Sequence, residues 1–179
     1  MSLVATLSAV AGPLLLSGLD GYRTAAAARY VAGRFQSARM EAVARSADVA
    51  VQFVDPGGGY VFQLCVDGNR NGVLTREIRS GIDKPLAPPE RLGDQFQGVR
   101  FGVLPDLPPV DSGSAPPGDD PIKLGVSNLA SFSATGTSSS GSVYIRGETR
   151  AQYVVRIFGD TGKTRILRFN SITGKWDSP

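Results

Sequence analysis

The chain opens on an apolar run that passes without a turn signal into a helical pattern. Residues 3–19 carry no charge and are interrupted only by Gly12-Pro13 and Gly18. Because no polar face divides this run, lipid or other helices must cover it. We therefore predict one helix that ends near Ser46, in which residues 1–19 form an apolar half, kinked at Pro13, and residues 20–46 an amphipathic half.

The amphipathic half carries apolar residues at spacings of three and four, which predicts a stripe that packs on the following domain. Arg23, Arg34 and Arg45 are eleven residues apart and should line one track, either solvated or in contact with neighbouring subunits or acidic lipid. Asp20 with Arg23 and Glu41 with Arg45 have the spacing of helical ion pairs. The predicted stripe consists of Tyr22, Ala26, Ala28, Tyr30, Val31, Phe35, Ala38 and Ala42.

The apolar half is shorter than the roughly 20 residues that a membrane-spanning helix needs. It also lacks the charged start and the small-residue cleavage site of a secretory signal. Met1-Ser2-Leu3 resembles a start methionine and linker added for expression in front of a shortened natural segment. We expect the natural protein to carry more apolar residues upstream.

After Ser46 the apolar positions alternate, which is typical of strands. The pattern predicts a fold of class α+β: a long N-terminal helix packed on an antiparallel β-rich domain of two sheets, residues 47–179. The Pro, Gly, Ser and Asp-rich residues 105–121 predict a long exposed loop. The predicted strands are 49–54, 60–66, 75–79, 96–104, 122–126, a short one at Phe132, 142–146, 153–158 and 164–169.

Composition argues against most enzyme classes. The 179 residues include 19 Lys and Arg, 16 Asp and Glu, and no His, with a net charge of +3. Without His, the usual general base and the commonest metal ligand are missing. Cys65 lies in an apolar strand-like run and is predicted to be a buried structural thiol. We therefore predict a protein that is not an enzyme and has no small-molecule substrate.

Residues 159–164 have the sequence Gly-Asp-Thr-Gly-Lys-Thr, which partly matches a phosphate-binding loop. That motif requires a further glycine at position 157, which is Ile157, and a helix afterwards. A strand pattern follows instead. The segment is predicted to be a hairpin turn.

Residues 67–72 resemble the beginning of a calcium-binding loop. Asp67, Asn69 and Asn71 offer alternating oxygens, and Glu77 falls one residue before the position of the usual last ligand. A hairpin built on Asn71-Gly72 is the favoured interpretation, because Asn-Gly adopts the positive φ angles of such turns. Calcium binding stays an alternative, and no other cofactor is predicted.

The C-terminal end is basic. Phe169 and Trp176 are interleaved with its charges, so nucleic acid could bind through phosphate contacts and stacking. A solvated face of a sheet is the simpler interpretation, since alternation turns Arg168 away from Lys163 and Arg165. The candidate DNA-binding residues are Lys163, Arg165, Arg168 and Lys175.

Several segments together resemble the minor pilins and pseudopilins of the GspH/FimT type. They are Ala-Gly-Pro-Leu-Leu at 11–15, Ala-Arg-Met-Glu-Ala-Val-Ala-Arg-Ser at 38–46, Phe-Ser-Ala-Thr-Gly-Thr at 132–137 and Gly-Ser-Val-Tyr-Ile at 141–145. The last two are similar to a pattern F-x-x-x-G followed by G-x-V-x-I in that family. The matches span most of the chain.

This resemblance implies a structural role in a filament. The helix would wait in the inner membrane with the β-domain in the periplasm, and would then pack with other pilins or pseudopilins in the filament core. The family's leader, cleavage site and N-terminal glutamate are not among these residues. The helix contacts implied for this chain are Pro13, Leu14, Leu15, Leu16 and Leu19.

The resemblance also implies an alternative. Some FimT-like members bind duplex DNA during natural transformation through a C-terminal Gly-Arg-x-Arg. Gly162-Lys163-Thr164-Arg165 is similar to that motif, with Lys in place of the first Arg. Lys keeps the positive charge and lacks the two-pronged guanidinium.

Overall fold

The computed structural model describes residues 2–179, with side chains from Gly18 on. Helix α1 spans Ser2–Arg45, and its end confirms the boundary expected near Ser46. Within the described part of the chain, no helix carries an apolar stretch long enough to cross a bilayer. The predicted kink at Pro13 lies outside the residues whose side chains are described.

Two antiparallel sheets follow α1, so the predicted α+β fold is confirmed. Sheet A has the strand order β3-β2-β1-β6, and sheet B the order β10-β9-β8-β7-β4, with β5 also paired to β7. Sheet A consists of β1 (Val49–Val54), β2 (Val61–Val66), β3 (Lys84–Pro85) and β6 (Leu129–Phe132). Sheet B consists of β4 (Arg100–Phe101), β5 (Ile122–Lys123), β7 (Gly141–Arg146), β8 (Gln152–Phe158), β9 (Lys163–Asn170) and β10 (Lys175–Asp177).

The segment between β2 and β4 differs from the sequence prediction. The expected strand at 75–79 is wrong, because helix α2 spans Thr75–Ser80, and Asn71-Gly72 does not join two strands. Helix α3 spans Leu92–Gln95, and only the two residues of β4 form a strand within 96–104. A five-residue alternation such as Thr-Arg-Glu-Ile-Arg fits either period, so tertiary contacts decide the outcome.

Residues 105–121 contain no regular element, yet they lie across the outer face of sheet B. Leu107 is buried against Tyr144 and Leu167. Trp176 Nε1 donates a hydrogen bond to the carbonyl oxygen of Pro108 at 3.1 Å. These contacts attach the loop to the sheet, although its composition predicts full exposure.

One face of α1 is buried by both sheets. Tyr22 is an exception to the predicted stripe, because its side chain is exposed on the opposite side of the helix. The spacing rule places Tyr22 and Ala26 in the predicted stripe because spacings of three and four recur on more than one face of a helix. The buried apolar residues of the helix are Ala25, Ala27, Ala28, Val31, Phe35, Ala38 and Ala42.

Aromatic rings connect the helix to both sheets. The ring of Phe35 lies 6.2 Å from that of Phe53 in β1 and 6.1 Å from that of Phe132 in β6, measured between centroids. Phe53 in turn lies 5.3 Å from Phe101 of sheet B, edge to face. Phe35 therefore belongs to a continuous core that includes both sheets.

We expect Phe35→Ala to lower the free energy of unfolding by about 3–5 kcal/mol, because it leaves a cavity where the helix meets both sheets. Urea unfolding measures this loss. Met40→Ala, on the exposed side of the same helix, should change stability by less than about 0.5 kcal/mol. Equal effects of the two substitutions would contradict the assigned helix orientation.

Candidate functional site

Helix α1 is the candidate functional region, because its orientation on the β-domain decides which of its faces remains available for binding another protein. At the start of its packed part, the Asp20 carboxylate accepts hydrogen bonds from the backbone of Glu148 at 2.8 Å and of Thr149 at 3.1 Å, and from the Thr149 hydroxyl. A Cβ on Gly147 would lie only 2.2 Å from Asp20 Oδ1, so this position requires glycine. These contacts hold the β7–β8 turn against the helix.

The Asp20 clasp, meaning Asp20 with residues 147–149, replaces the predicted ion pair with Arg23. Burial raises the pKa of the Asp20 carboxyl, but the hydrogen bonds from Thr149 and from backbone N–H groups outweigh burial and leave the pKa lowered. The carboxylate is therefore charged, and both of its oxygens accept hydrogen bonds that position the helix. Sequence reasoning missed this role because the partners are 128 and 129 residues apart.

A second polar cluster fixes the middle of α1. Tyr30 and Arg34 both donate to the carboxylate of Glu90, and Gln95 Nε2 donates to Tyr30 Oη at 3.0 Å. Burial and the Glu90 contact raise the pKa of Tyr30. Arg34 thus faces the β-domain, whereas Arg45 pairs with Glu41 at 2.6 Å as predicted. The three arginines do not form one solvated track.

The residues of the calcium-like loop are brought together, but as a hydrogen-bonded turn before α2. Asp67 accepts from the backbone N–H groups of Asn69, Arg70 and Gly72, at 2.9, 2.7 and 2.7 Å. The amides of Asn69 and Asn71 donate to Glu77 at 3.1 and 3.0 Å. Burial raises the pKa of Asp67, and the backbone donors lower it further than burial raises it.

A third carboxylate closes this loop. Asp83 is fully buried and accepts from the backbone of Gly68 at 3.0 Å and of Leu74 at 2.8 Å. Among the described residues, no group of three or more His, Cys, Asp or Glu side chains has an arrangement that could hold a metal ion. Through these hydrogen bonds the loop forms an ordered turn that connects β2 to α2.

The four candidate DNA-binding residues do not share one surface. Lys163 and Arg165 lie on the outer face of sheet B, the face to which Leu167 also belongs. Arg168 lies on the other face, with Ile166, and Lys175 is paired with Asn170 on that same side. Arg156, another basic residue of this end of the chain, is the cross-strand neighbour of Arg165. The register of the β8–β9 hairpin brings these two side chains to the same face.

The predicted filament contacts fall at the end of α1 that precedes the β-domain. Pro13, Leu14, Leu15 and Leu16 lie outside the residues whose side chains are described. Leu19 is half-exposed, and Asp20 is the first described helix residue that the β-domain buries. Among the described side chains, packing against the β-domain therefore begins directly after the apolar sequence.

Two simpler predictions are confirmed. Cys65 is fully buried in β2, and burial together with nearby Asp83 raises its pKa to about 11, so its thiol is unreactive near neutral pH. Residues 159–162 form the turn between β8 and β9, where Phe158 pairs with Lys163. The partial match to a phosphate-binding loop is thus a hairpin turn.

A long helix held by one face against two antiparallel sheets defines a pilin-like architecture. The model of the family described as "Type II transport protein GspH" matches residues 27–161, about three quarters of the chain. The chain belongs to this family of type II secretion pseudopilins, which are structural components of the secretion system. Neither the curated proteins nor the solved structures yield a match.

We expect Asp20→Asn to lower the free energy of unfolding by about 2 kcal/mol, since the amide offers the β7–β8 turn one acceptor instead of two and faces it with N–H groups. Because its pKa is lowered, the contribution of Asp20 to the free energy of unfolding depends on pH. A carboxyl whose pKa is lower when folded contributes fully above its unfolded value, near 3.8, and that contribution disappears as the pH falls through the folded value.

Urea unfolding of wild type and variant at several pH values tests this. The difference between the two proteins should shrink on acidification below the unfolded pKa. Asp119→Asn removes an exposed carboxyl and serves as the control. A stability loss for Asp20→Asn that is the same at all pH values would contradict the assigned role of its charge.

Proposed function

We propose that this chain is a minor pseudopilin that assembles through the N-terminal part of α1 into a type II secretion pseudopilus. In this role the apolar sequence 3–19 resides in the inner membrane before assembly and among other pseudopilin helices afterwards. The β-rich domain faces the periplasm and forms the outer part of the filament.

The division of α1 carries this proposal. Among the side chains that the structure describes, burial by the β-domain begins at Asp20 and continues to Ala42, whereas the sequence before Asp20 is entirely uncharged. An uncharged, apolar helical segment of this length favours an apolar environment. Family membership supports neighbouring pseudopilin helices as that environment.

A charge in the apolar segment should abolish assembly without affecting the domain. We expect Leu15→Arg to reduce secretion of a type II substrate at least about tenfold in a host that lacks the natural protein, because an arginine among apolar helices costs about 2.5–3.5 kcal/mol. The secreted fraction, measured against the cell-associated fraction, reports the effect.

Val126→Arg is the matched control, because it places the same charge on a fully exposed loop residue of the β-domain. Both variants should unfold at the urea concentration of the wild type. Normal secretion with Leu15→Arg, in a protein that is present at wild-type levels, would contradict assembly through this segment.

DNA binding is a second candidate, favoured by one arrangement on sheet B. Lys163 and Arg165 share the outer face with Arg156, and the half-exposed ring of Phe158 lies opposite Lys163. The guanidinium of Arg156 is 5.9 Å from the centre of that ring. Arg156 is itself paired with Asp111 at 2.7 Å. Lys163 and Arg165 therefore supply the charge for a phosphate backbone, and the ring offers a surface on which a base stacks.

For this candidate we expect Lys163→Gln with Arg165→Gln to weaken binding of a short DNA duplex and to reduce the salt slope of log K by about 2. Fluorescence anisotropy at several salt concentrations measures both. Arg168→Gln with Lys175→Gln removes the same charge from the opposite face and should have a smaller effect. Equal losses from the two double variants would show that net charge alone attracts DNA.

A further inference from the structure

A pocket of about 400 Å³ lies where the apolar sequence of α1 meets the β-domain. Gly18 belongs to its helix wall, and the turns that follow β7 and β9 form the opposite walls. The charged side chains that line it are Asp20, Arg150 and Arg168. Because a helix rises about 1.5 Å per residue, the pocket lies within about one helical turn of the end of the apolar sequence 3–19.

The charge of this pocket is positive. The Asp20 carboxylate is already occupied by the β7–β8 turn. In the described part of the chain, neither Arg150 nor Arg168 has a carboxylate oxygen within 4 Å. Asp177, the cross-strand neighbour of Arg168, accepts a hydrogen bond from Asn170 Nδ2 at 3.1 Å. Two exposed guanidinium groups are therefore available, and their paired N–H groups match the oxygens of a phosphate.

The other carboxylate of the β7–β8 turn lies outside the pocket. Glu148 is directed to Gly98, where an added Cβ would lie only 3.1 Å from Glu148 Oε2. Glu148 is also absent from the lining of the pocket. An anion between the two arginines therefore meets no repulsion from this side chain at contact distance.

Hydrogen bonds fix both turns before any ligand binds. The Asp20 clasp holds the turn that carries Arg150. In the β9–β10 turn, Asn170 Oδ1 accepts from the backbone N–H groups of Ile172 at 3.0 Å and Thr173 at 3.3 Å. A ligand of this pocket therefore binds to a preformed site, which reduces the entropy lost on binding.

The rim of the pocket is apolar. Ile172, at the tip of the β9–β10 turn, is 95% exposed, and Leu19 on the helix is half-exposed. Cations beside exposed apolar side chains are typical of surfaces that bind at the boundary between lipid headgroups and acyl chains. A free phosphate ion would engage the arginines and leave Ile172 in water, so the isoleucine favours a lipid.

We propose that this pocket binds the phosphate group of an anionic phospholipid, with Arg150 and Arg168 on the headgroup and Ile172 at the acyl boundary. This inference rests on the proposed function, because it requires the sequence 3–19 to reside in the membrane before assembly. It adds a lipid class and a second contact that orients the β-domain on the bilayer. Each arginine near an anionic surface strengthens binding about fivefold, so the pair contributes about 30-fold.

Reconstitution of the full chain in lipid nanodiscs tests the proposal. The environment-sensitive dye NBD on Thr173→Cys reports whether the β9–β10 turn enters the bilayer, and buried Cys65 resists labelling. One set of nanodiscs contains phosphatidylcholine alone, and the other contains equal amounts of phosphatidylcholine and phosphatidylglycerol. We expect NBD emission to be at least about twofold brighter in the second set, because phosphatidylglycerol supplies the negative charge.

Charge variants show whether the pocket causes this increase. Arg150→Gln with Arg168→Gln should return the emission to its level in phosphatidylcholine. Lys163→Gln with Arg165→Gln is the matched control, because it removes the same charge from the outer face of sheet B and should retain the increase. An increase that survives the first double variant, or that both double variants abolish equally, would overturn the proposal.

Inorganic phosphate distinguishes a headgroup from a free anion. At millimolar concentration, compared with chloride at the same ionic strength, it should leave the emission in phosphatidylglycerol unchanged. Loss of the increase in phosphate would assign the pocket to a free ion and overturn the lipid. A chain that enters both sets of nanodiscs with equal emission would overturn this inference and leave the proposed function standing. A chain that enters neither set would overturn both.

Discussion

Small side chains on the buried face of α1 are the constraint on which the rest of the structure depends. Ala27, Ala28, Ala38 and Ala42 are completely buried, and they allow two sheets to approach one helix. Phe35 fills the space between them and contacts the rings of Phe53 and Phe132 in sheet A. Larger residues at the alanine positions would separate the sheets from the helix, and the aromatic contacts between the sheets would open with them.

Polar contacts then fix the rotation of the helix within this apolar core, which alone would tolerate some sliding. The Asp20 clasp holds its beginning, and Glu90 holds its middle through Tyr30 and Arg34. Because hydrogen bonds are directional, these contacts select a single rotation of α1. That rotation buries one apolar stripe and leaves Tyr22 and Met40 exposed on the other side of α1. Folding contacts therefore determine which surface of the helix remains accessible.

Sequence reasoning was reliable where a pattern is long and unreliable where contacts between distant segments decide. The helix end at Arg45 and the strands β1, β2, β7, β8 and β9 follow from sustained periods. The structure of residues 75–79 does not follow from their local pattern. Glu77 is buried and accepts hydrogen bonds from the amides of Asn69 and Asn71, and the segment forms a helix instead of a strand. The Asp20 clasp connects residues that are 128 and 129 positions apart, and no local pattern indicates it.

Helix α1 serves folding with one face, and we propose that the surface it leaves exposed serves assembly. The most direct measurement is the alkylation rate of Met40→Cys in cells, compared with Val126→Cys, since buried Cys65 contributes little background. We expect Met40→Cys to become protected when all pseudopilins of the system are expressed, whereas Val126→Cys reacts as before. Equal alkylation of Met40→Cys with and without the other pseudopilins would contradict a role of this helix in assembly.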